Sequence, residues 1–343
     1  MNVPARMKAL LQKHDGYSKD HSGVVLEAMA PYVEPGEIDV PEPGDGQVVI
    51  KVRLAAVNPS DVMFIKGLYG QPRQMGRPPG FEGVGEVVAA GAGAQALVGK
   101  RVAFATGKSG SGSWAEYALA DMRSTIPVID QVRDEDAAAF IVNPLTALAM
   151  FDLVREEGAK SFVLSAAASQ LCKLIMGAAR DEGFRPIALV RRDDDGHLAA
   201  AGAAHVLNVT APDFEEKLAA VLKEEKPRIF LDAVTGSMAG QVFNAMGRGA
   251  RWVIYGRMDS GDTIIPEPGQ LIFMGKRIEG FWLTEWMRVT PPERTAAVVM
   301  EAQKRFADGR WKTDVTAIVR LEDAMSRVPD ELAKPDGKIF IAP

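Results

Sequence analysis

The sequence predicts an α/β protein: an antiparallel, barrel-like N-terminal region followed by a doubly wound parallel sheet. Three observations predict it. The chain has 343 residues, which suggests two domains at roughly 150 residues each. Up to about Asp134 it is rich in Gly, Pro and short β-branched runs broken by turn residues, the pattern of short antiparallel strands. Beyond that point strand-like and helix-like segments alternate, and a βαβα order implies a parallel sheet with helices on both faces.

In the first region Gln47–Val57, Gly83–Ala90 and Arg101–Ala105 read as strands. Glu135–Phe140 and Pro144–Glu157 read as helices, Asn143 standing where a helix cap before an N1 proline would stand. The alternating series then runs strand Ser161–Ser165, helix Gln170–Glu182, strand Pro186–Arg191, helix Asp194–Ala201 and strand His205–Val209. It continues with helix Phe214–Glu225, strand Ile229–Ala233, helix Met238–Met246 and the strands Arg251–Tyr255 and Arg277–Phe281. Thr290–Asp308 reads as one more helix, after which the last fifty residues are expected to rejoin the first region.

Composition narrows the function classes. Hydrophobic residues make up 47% and charged residues 25%, the balance of a chain with a full core. Net charge is −5 with scattered basic residues, so no nucleic-acid partner is expected. The single cysteine, Cys172, excludes a disulfide framework and a zinc site of several thiolates, and fits a reducing cytoplasm. The start has no apolar run of signal-peptide length. Asn143-Pro144, Gln170 and Lys173 interrupt the two most apolar stretches, leaving both short of the ~20 residues of a membrane span. A soluble, cytoplasmic protein is expected.

In a doubly wound sheet the first strand-to-helix turn meets the pyrophosphate of a dinucleotide through helix N-terminal amides. Here that turn reads Ser165-Ala166-Ala167-Ala168-Ser169-Gln170-Leu171-Cys172, without a glycine. Such a turn leaves two readings open, a nucleotide site and an α/β domain that holds none there. The second strand ends at Arg191-Arg192, where a carboxylate would take the ribose hydroxyls of NAD and an arginine accommodates a 2′-phosphate. The pair favours NADPH; the competing reading is a solvated pair neutralised by Asp193, Asp194 and Asp195, which also suit the cap of the next helix.

A series of short segments resembles a known family. Asn58-Pro59-Ser60-Asp61, Gly67-Leu68-Tyr69, Gly80-Phe81-Glu82-Gly83, Ser113-Trp114-Ala115-Glu116-Tyr117 and Val142-Asn143-Pro144-Leu145-Thr146-Ala147 follow in order. Leu231-Asp232-Ala233-Val234-Thr235-Gly236, Tyr255-Gly256, Gly280-Phe281-Trp282-Leu283 and Gly337-Lys338-Ile339 complete it. From about Met7 to Ile341 the chain resembles the medium-chain dehydrogenases/reductases, with its nearest likeness to the quinone oxidoreductase group. The runs at Val142–Ala147 and Gly280–Trp286 are similar to the mitochondrial-type trans-2-enoyl-thioester reductase branch. The resemblance implies a GroES-like catalytic domain over 1–142 and 288–343 and a Rossmann nucleotide-binding domain over 143–287. It also implies NADP(H) as cofactor, a small-molecule substrate, and a homodimer formed along the last strands of the nucleotide domain. The alcohol-dehydrogenase branch binds zinc through a Cys and a His where this chain has Asn58 and Phe81, so a zinc-independent enzyme is implied. His14, His21, His197 and His205 all lie outside these segments.

Without a metal, a reductase polarises its acceptor with hydrogen-bond donors. The resemblance makes Tyr69 the donor to a substrate carbonyl, the competing reading being a tyrosine stacked at a loop tip. Asn58 and Asn143 would orient substrate or the nicotinamide ribose. Thr146, Ala168, Ser169, Gln170, Leu171, Val234, Tyr255 and Gly256 would line the cofactor, and Phe281-Trp282-Leu283 would face the nicotinamide carboxamide, unless Trp282 is a core aromatic. Lys338 would reach a phosphate or substrate, or stay solvated. The family's phosphate loop carries glycines where this chain has Gln170 and Cys172; Cys172 is either a thiol activated by the helix N-terminus or a small filler. Lys66, Arg73 and Arg77 flank Tyr69, where they read as a basic rim for a thioester carrier or as a solvated loop. Three activities follow: NADPH-dependent reduction of a quinone or enone, reduction of a trans-2-enoyl thioester, and NADPH binding in a structural or sensing role without turnover.

Overall fold

The structure, a computed structural model, describes residues 3–19, 23–107, 111–194, 196–263, 267–334 and 337–343. His21 and Asp195 fall outside these residues. The strands are β1 (Arg6–Gln12), β2 (Val33–Asp39), β3 (Gln47–Val57), β4 (Glu82–Ala90), β5 (Arg101–Ala105), β6 (Tyr117–Asp121), β7 (Thr125–Pro127), β8 (Ser161–Leu164), β9 (Arg185–Val190), β10 (His205–Asn208), β11 (Ile229–Asp232), β12 (Arg251–Ile254), β13 (Arg277–Gly280), β14 (Val315–Arg320) and β15 (Lys338–Ala342). The helices are α1 (Pro59–Ile65), α2 (Asp134–Ala138), α3 (Thr146–Glu156), α4 (Gln170–Asp181), α5 (His197–Ala201), α6 (Phe214–Glu225), α7 (Gly236–Ala245), α8 (Pro268–Ile272), α9 (Leu283–Val289), α10 (Pro292–Ala307) and α11 (Ala324–Leu332). Two compact units result, residues 1–143 with 301–343 and residues 144–300.

In the first unit the long β3 organises the sheet, in the order β14-β15-β3-β4-β5-β7, with β6 also pairing β3. Ile50, Val52, Val87, Phe104, Trp114, Ile339 and Ile341 fill its core. Two registers matter for chemistry. β15 runs antiparallel to β3 with Ile339 opposite Val57, which brings Lys338 beside Asn58. β4 pairs β3 with Gly83 opposite Ala55, which brings Glu82 to the same end. Gly80 has φ +100, and a Cβ there would meet Ser113 Oγ at 2.5 Å, so the Gly80–Gly83 and Ser113–Tyr117 segments pack on one another only because residue 80 is glycine.

In the second unit every pairing is parallel, in the order β10-β9-β8-β11-β12-β13. Counted from β8 this is 3-2-1-4-5-6, and its switch point lies between β8 and β11. The central strands β8, β9 and β11 are largely apolar, buried runs, as a sheet covered on both faces requires, and Phe230, Phe243 and Trp252 pack together in its core.

Differences from the sequence reading have local causes. The helix expected from Asp194 starts at His197, because Gly196 at φ +92 interrupts it and Asp194 instead caps the N–H groups of Gly196 and Leu198 at 3.2 and 3.0 Å. The helix expected from Thr290 starts at Pro292 and follows a separate α9, Pro291-Pro292 forcing the break. The helix expected from Pro144 is wound from Ile141 as a π turn that contains Pro144, with α3 starting at Thr146. Asn143 is therefore inside helical backbone and does not cap it. No helix among the described residues is long and apolar enough to cross a membrane.

Candidate active site

In the first unit, the turn after β3 gathers a buried polar cluster. Asn58 precedes α1, and Asp61 closes the first turn by accepting the Asn58 N–H at Oδ2, 2.8 Å, as a residue in the N3 position does. Its Oδ1 accepts the Phe81 N–H at 2.9 Å. The Asn58 amide is held at both ends: Nδ2 donates to Glu82 Oε1 at 3.0 Å, and Oδ1 accepts from Lys338 Nζ. Glu82 Oε2 accepts the N–H groups of Ile141 and Val142 at 2.9 and 2.8 Å. All four side chains are buried.

Two carboxyls and one ammonium in a dry pocket shift one another. Burial pushes Asp61 up to about 7, and the neighbouring Glu82 charge pushes the same way. Burial also raises Glu82 against the opposing pull of Lys338 and its hydrogen bonds, and lowers Lys338 against the pull of Glu82 and Asp61. Desolvation is the largest influence on each.

Tyr69 lies beyond this cluster on a half-buried loop. Its ring is tilted on Phe81, centroids 5.0 Å apart, and Phe81 packs in turn on Phe64 at 5.1 Å. The loop is latched from below. Gly67 has φ +76, and its carbonyl accepts from Ser18 N at 2.8 Å. The Lys66 ammonium donates to the carbonyls of Gly23 and Val25 at 2.8 and 2.9 Å. Arg73, whose pKa burial lowers, donates to Gly16 O at 3.0 Å and to Ile65 O at 3.4 Å. Lys66 and Arg73 are thus neither a basic rim nor solvated; both are spent on backbone carbonyls, leaving Arg77 as the exposed member of the three.

In the second unit the switch point is built on Asp232. Its Oδ1 accepts from Ser165 Oγ at 2.5 Å and Val234 N at 2.9 Å, its Oδ2 from Thr235 N at 3.1 Å and Trp252 Nε1 at 2.9 Å. Ser165 Oγ accepts the Ala233 N–H at 2.8 Å, so the ends of β8 and β11 are stitched together. Ala166 at φ +47 and Thr235 at φ +66 follow the two strands. Left-handed backbone at non-glycine residues is strained, and here it stands on both sides of the crevice.

The turn from Ser165 therefore bends without glycine, and Ser169 caps α4 by accepting Cys172 N at 3.3 Å. Ala168 is exposed, and Ser169, Gln170 and Leu171 are half-buried along the turn. Cys172 is fully buried, its Sγ 3.5 Å from Ser165 O and 3.4 Å from the Tyr255 hydroxyl, and burial raises its pKa, which excludes an activated thiolate. Tyr255 spends its hydroxyl on that sulfur. Gly256 is half-buried; a Cβ there would meet Ala233 O at 2.9 Å.

Arg191 and Arg192 stand exposed just past β9, and among the described residues neither side chain has an ion-pair partner. Asp193 is taken by Asn208 Nδ2 at 2.9 Å and Asp194 by the start of α5, which removes two of the three carboxylates that the neutralised reading needed. Val234 is half-buried at the crevice; Phe281 N is bonded to Ile254 O at 2.8 Å, and Trp282, 37% exposed, caps α9 and is no core aromatic. Thr146 is buried at the start of α3.

The sequence reading singled out Asn58 and Lys338 separately and missed Asp61 and Glu82, which join them. Lys338, expected at a phosphate, at substrate or in solvent, is buried on Asn58 and so is not solvated. The available signal was the apolar company of Glu82 and Lys338, since a charge inside an apolar run must find a partner. Among the described residues no group of three or more His, Cys, Asp and Glu side chains is placed to hold a metal ion.

Comparison with known proteins agrees with this architecture. Residues 44–130 match the alcohol dehydrogenase GroES-like domain and residues 166–301 the zinc-binding dehydrogenase domain. A crystal structure from Mesorhizobium loti, provisionally assigned as an NADPH:quinone reductase, is 63% identical with a TM-score of 0.97, each chain covered in full. A Bacillus thuringiensis structure with the same provisional assignment shares the fold at 21% identity and a TM-score of 0.86, over 99% of this chain and 100% of that one. The mitochondrial enoyl-[acyl-carrier-protein] reductase of Bos taurus is 28% identical over 93% of this chain and 84% of its own. With a GroES-like unit, a doubly wound sheet of order 3-2-1-4-5-6 and a full-length relative at 63% identity, the chain belongs to the medium-chain dehydrogenase/reductase family of oxidoreductases.

Proposed function

We propose that the protein is a zinc-independent, NADPH-dependent reductase that acts on an electron-poor conjugated acceptor, a quinone or an enone. The observation that carries the proposal is the pair Arg191-Arg192, exposed and without ion-pair partners among the described residues at the end of the second strand of the sheet, where a 2′-phosphate is read. The crevice beside the pair suits a dinucleotide. The amides of the Ser165–Gln170 turn serve the pyrophosphate, and Val234, Tyr255-Gly256 and Phe281-Trp282-Leu283 line the nicotinamide half. Thr146 and Asn143 serve the ribose. When bound, NADPH supplies the hydride. The name carried by the Mesorhizobium loti relative supports the same chemistry.

The chain's own part is to polarise and orient. Hydride added to the β-carbon of a conjugated carbonyl leaves negative charge on the carbonyl oxygen, and we assign the Tyr69 hydroxyl as its donor. Packing on Phe81 fixes the ring, and Phe81 is itself fixed by Asp61. Asn58, at the start of α1 and held by Glu82 and Lys338, is the second polar side chain we assign to orienting the substrate.

Reduction of a trans-2-enoyl thioester is a second reading, supported by the Bos taurus relative. The burial of Lys66 and Arg73 weighs against it, because a thioester carrier would want basic residues at a pocket mouth. One experiment separates the readings: NADPH consumption with a quinone, a simple enone and an enoyl thioester as acceptors. The expected result is the highest kcat/KM with a quinone or enone; a preference for the thioester reverses the order. NADPH binding without turnover on any of the three makes the protein a sensor or structural component.

A homodimer is part of the reading. β13 is an edge strand, and Ile272 and Phe273 at the end of the preceding α8 are 69% and 72% exposed; an open strand edge beside exposed apolar side chains invites pairing with a second copy. Sedimentation of the wild type and of Phe273→Glu tests this. A cytoplasmic location is part of the same proposal, with which one buried thiol is compatible.

A further inference from the structure

The second strand of the parallel sheet runs out into two arginines followed at once by acids, Arg191-Arg192-Asp193-Asp194. At this strand end a carboxylate takes the ribose hydroxyls of NAD and an arginine accommodates a 2′-phosphate, so the run carries both specificities side by side. Left loose, the Asp193 carboxylate would reach the guanidiniums of the two residues before it and repel a phosphate. The neighbouring strand prevents this. β10 runs parallel to β9 with Asn208 opposite Val190, and the Val209 N–H donates to Val190 O at 2.8 Å, which ties the two strand ends together. The Asn208 amide can face only one way. Its Oδ1 accepts the Thr210 N–H at 3.0 Å and the Thr210 hydroxyl at 2.8 Å, so its Nδ2 is the end left for Asp193, to whose Oδ1 it donates at 2.9 Å. Lys217 on α6 senses the same carboxylate: Asp213, at 2.8 Å, raises its pKa, and the Asp193 charge adds to the shift. Asp193 is thus drawn toward β10 and α6, while Arg191 and Arg192 stand exposed without ion-pair partners among the described residues.

We propose that Asn208 is a specificity-determining residue: by holding the Asp193 carboxylate away from Arg191-Arg192, it keeps both guanidiniums available to the 2′-phosphate of NADPH. The proposal rests on the NADPH-dependent reading above and involves the second unit alone.

The test compares NADPH with NADH by fluorescence titration, and adenosine 2′,5′-bisphosphate with adenosine 5′-monophosphate by calorimetry. The second pair carries the 2′-phosphate difference without a nicotinamide. Asn208→Ala should weaken NADPH and the bisphosphate about fivefold at low salt, the scale of one screened surface charge, and leave NADH and the monophosphate unchanged. The penalty should shrink at high salt. Adding Asp193→Asn should restore wild-type affinity, because no carboxylate remains to be released. Asn208→Asp keeps the oxygen that Thr210 bonds and replaces only the donor, so it serves if Asn208→Ala does not fold. Its loss too should be rescued by Asp193→Asn, which returns an amide–carboxylate bond to the pair. A loss shared by NADH and NADPH, a loss that Asp193→Asn does not rescue, or wild-type NADPH affinity in both Asn208 variants overturns the proposal. Failure of the cofactor reading looks different: wild type then prefers neither NADPH over NADH nor the bisphosphate over the monophosphate, and the proposal falls with it.

Discussion

Two buried carboxylate sites anchor the two units, and they are built on opposite plans. Asp232 in the second unit is surrounded by neutral donors, a hydroxyl, an indole and two backbone N–H groups, nearly all from strand ends that the sheet order makes neighbours. Asp61 and Glu82 in the first unit share a pocket with one ammonium whose residue lies 280 positions from Asn58. Fixed dipoles around one charge make a rigid floor, suited to holding a cofactor crevice in strained backbone. Two acids with one base leave a proton to be lost or gained near neutrality. The comparison predicts that the support of the Tyr69 loop depends on pH through Asp61 and Glu82.

The largest expected effect tests the rigid site. Asp232→Ala orphans the Ser165 hydroxyl, the Trp252 indole and two N–H groups, at about 1–3 kcal/mol for each unsatisfied donor, so thermal or urea unfolding should show a loss of about 4 kcal/mol. A loss below about 1 kcal/mol would mean that the dipoles are satisfied elsewhere and that the contrast is empty. Next in size is Tyr69→Phe, which keeps the ring on Phe81. Removing one oxyanion donor costs ~10²–10³ in turnover, about 2.7–4 kcal/mol, and here it should appear in kcat while NADPH affinity holds. A wild-type kcat on the best acceptor removes Tyr69 from the chemistry.

Arg191→Ala sharpens the cofactor side. Loss of a charge-assisted bond of about 1.5–3 kcal/mol should weaken NADPH at least tenfold and leave NADH nearly unchanged; equal wild-type affinities for the two cofactors would sink the assignment. The smallest effect is the pH contrast. Asp61 is raised to about 7 in the folded chain from an ordinary value near 3.9. A carboxyl shifted upward binds its proton more tightly in the folded state, so its stabilisation is complete at low pH and is lost as pH rises through the folded value. The stability advantage of wild type over Asp61→Asn should therefore shrink by about 2 kcal/mol between pH 5 and 8. Glu82, also raised, works in the same direction. A pH-independent difference would show that the pocket stays wet.

The sheet of the second unit was legible because its signals are local. Apolar runs such as Ile229–Asp232 and Phe162–Leu164 stand between helices of ordinary length, and parallel strands buried on both faces read as such runs. The first unit was only partly legible. β1, β2, β6, β7, β14 and β15 were not read as strands, since their character depends on the partners they find; the burial of β2 alternates weakly around Gly36, and β14 exposes much of its length. α9, short at seven residues (Leu283–Val289), was not read as a helix.

The sequence by itself determined the fold class, the alternating strand–helix order of the second unit and the arginine pair at its second strand, because each is written in a short window of residue types. Tertiary structure decided what the charged residues do. Lys66 and Arg73 read as solvent-facing from their neighbours, and the loop from Gly16 to Val25 turned them into latches. Lys338 read as a ligand of phosphate or substrate or as a solvated lysine, and the β15–β3 register placed it on Asn58. Asn143 read as a cap, and Glu82 capped the turn in its place. A helix or strand pattern repeats within a few residues, whereas the partner of a buried charge is chosen by strand register across the whole chain, which no short window contains.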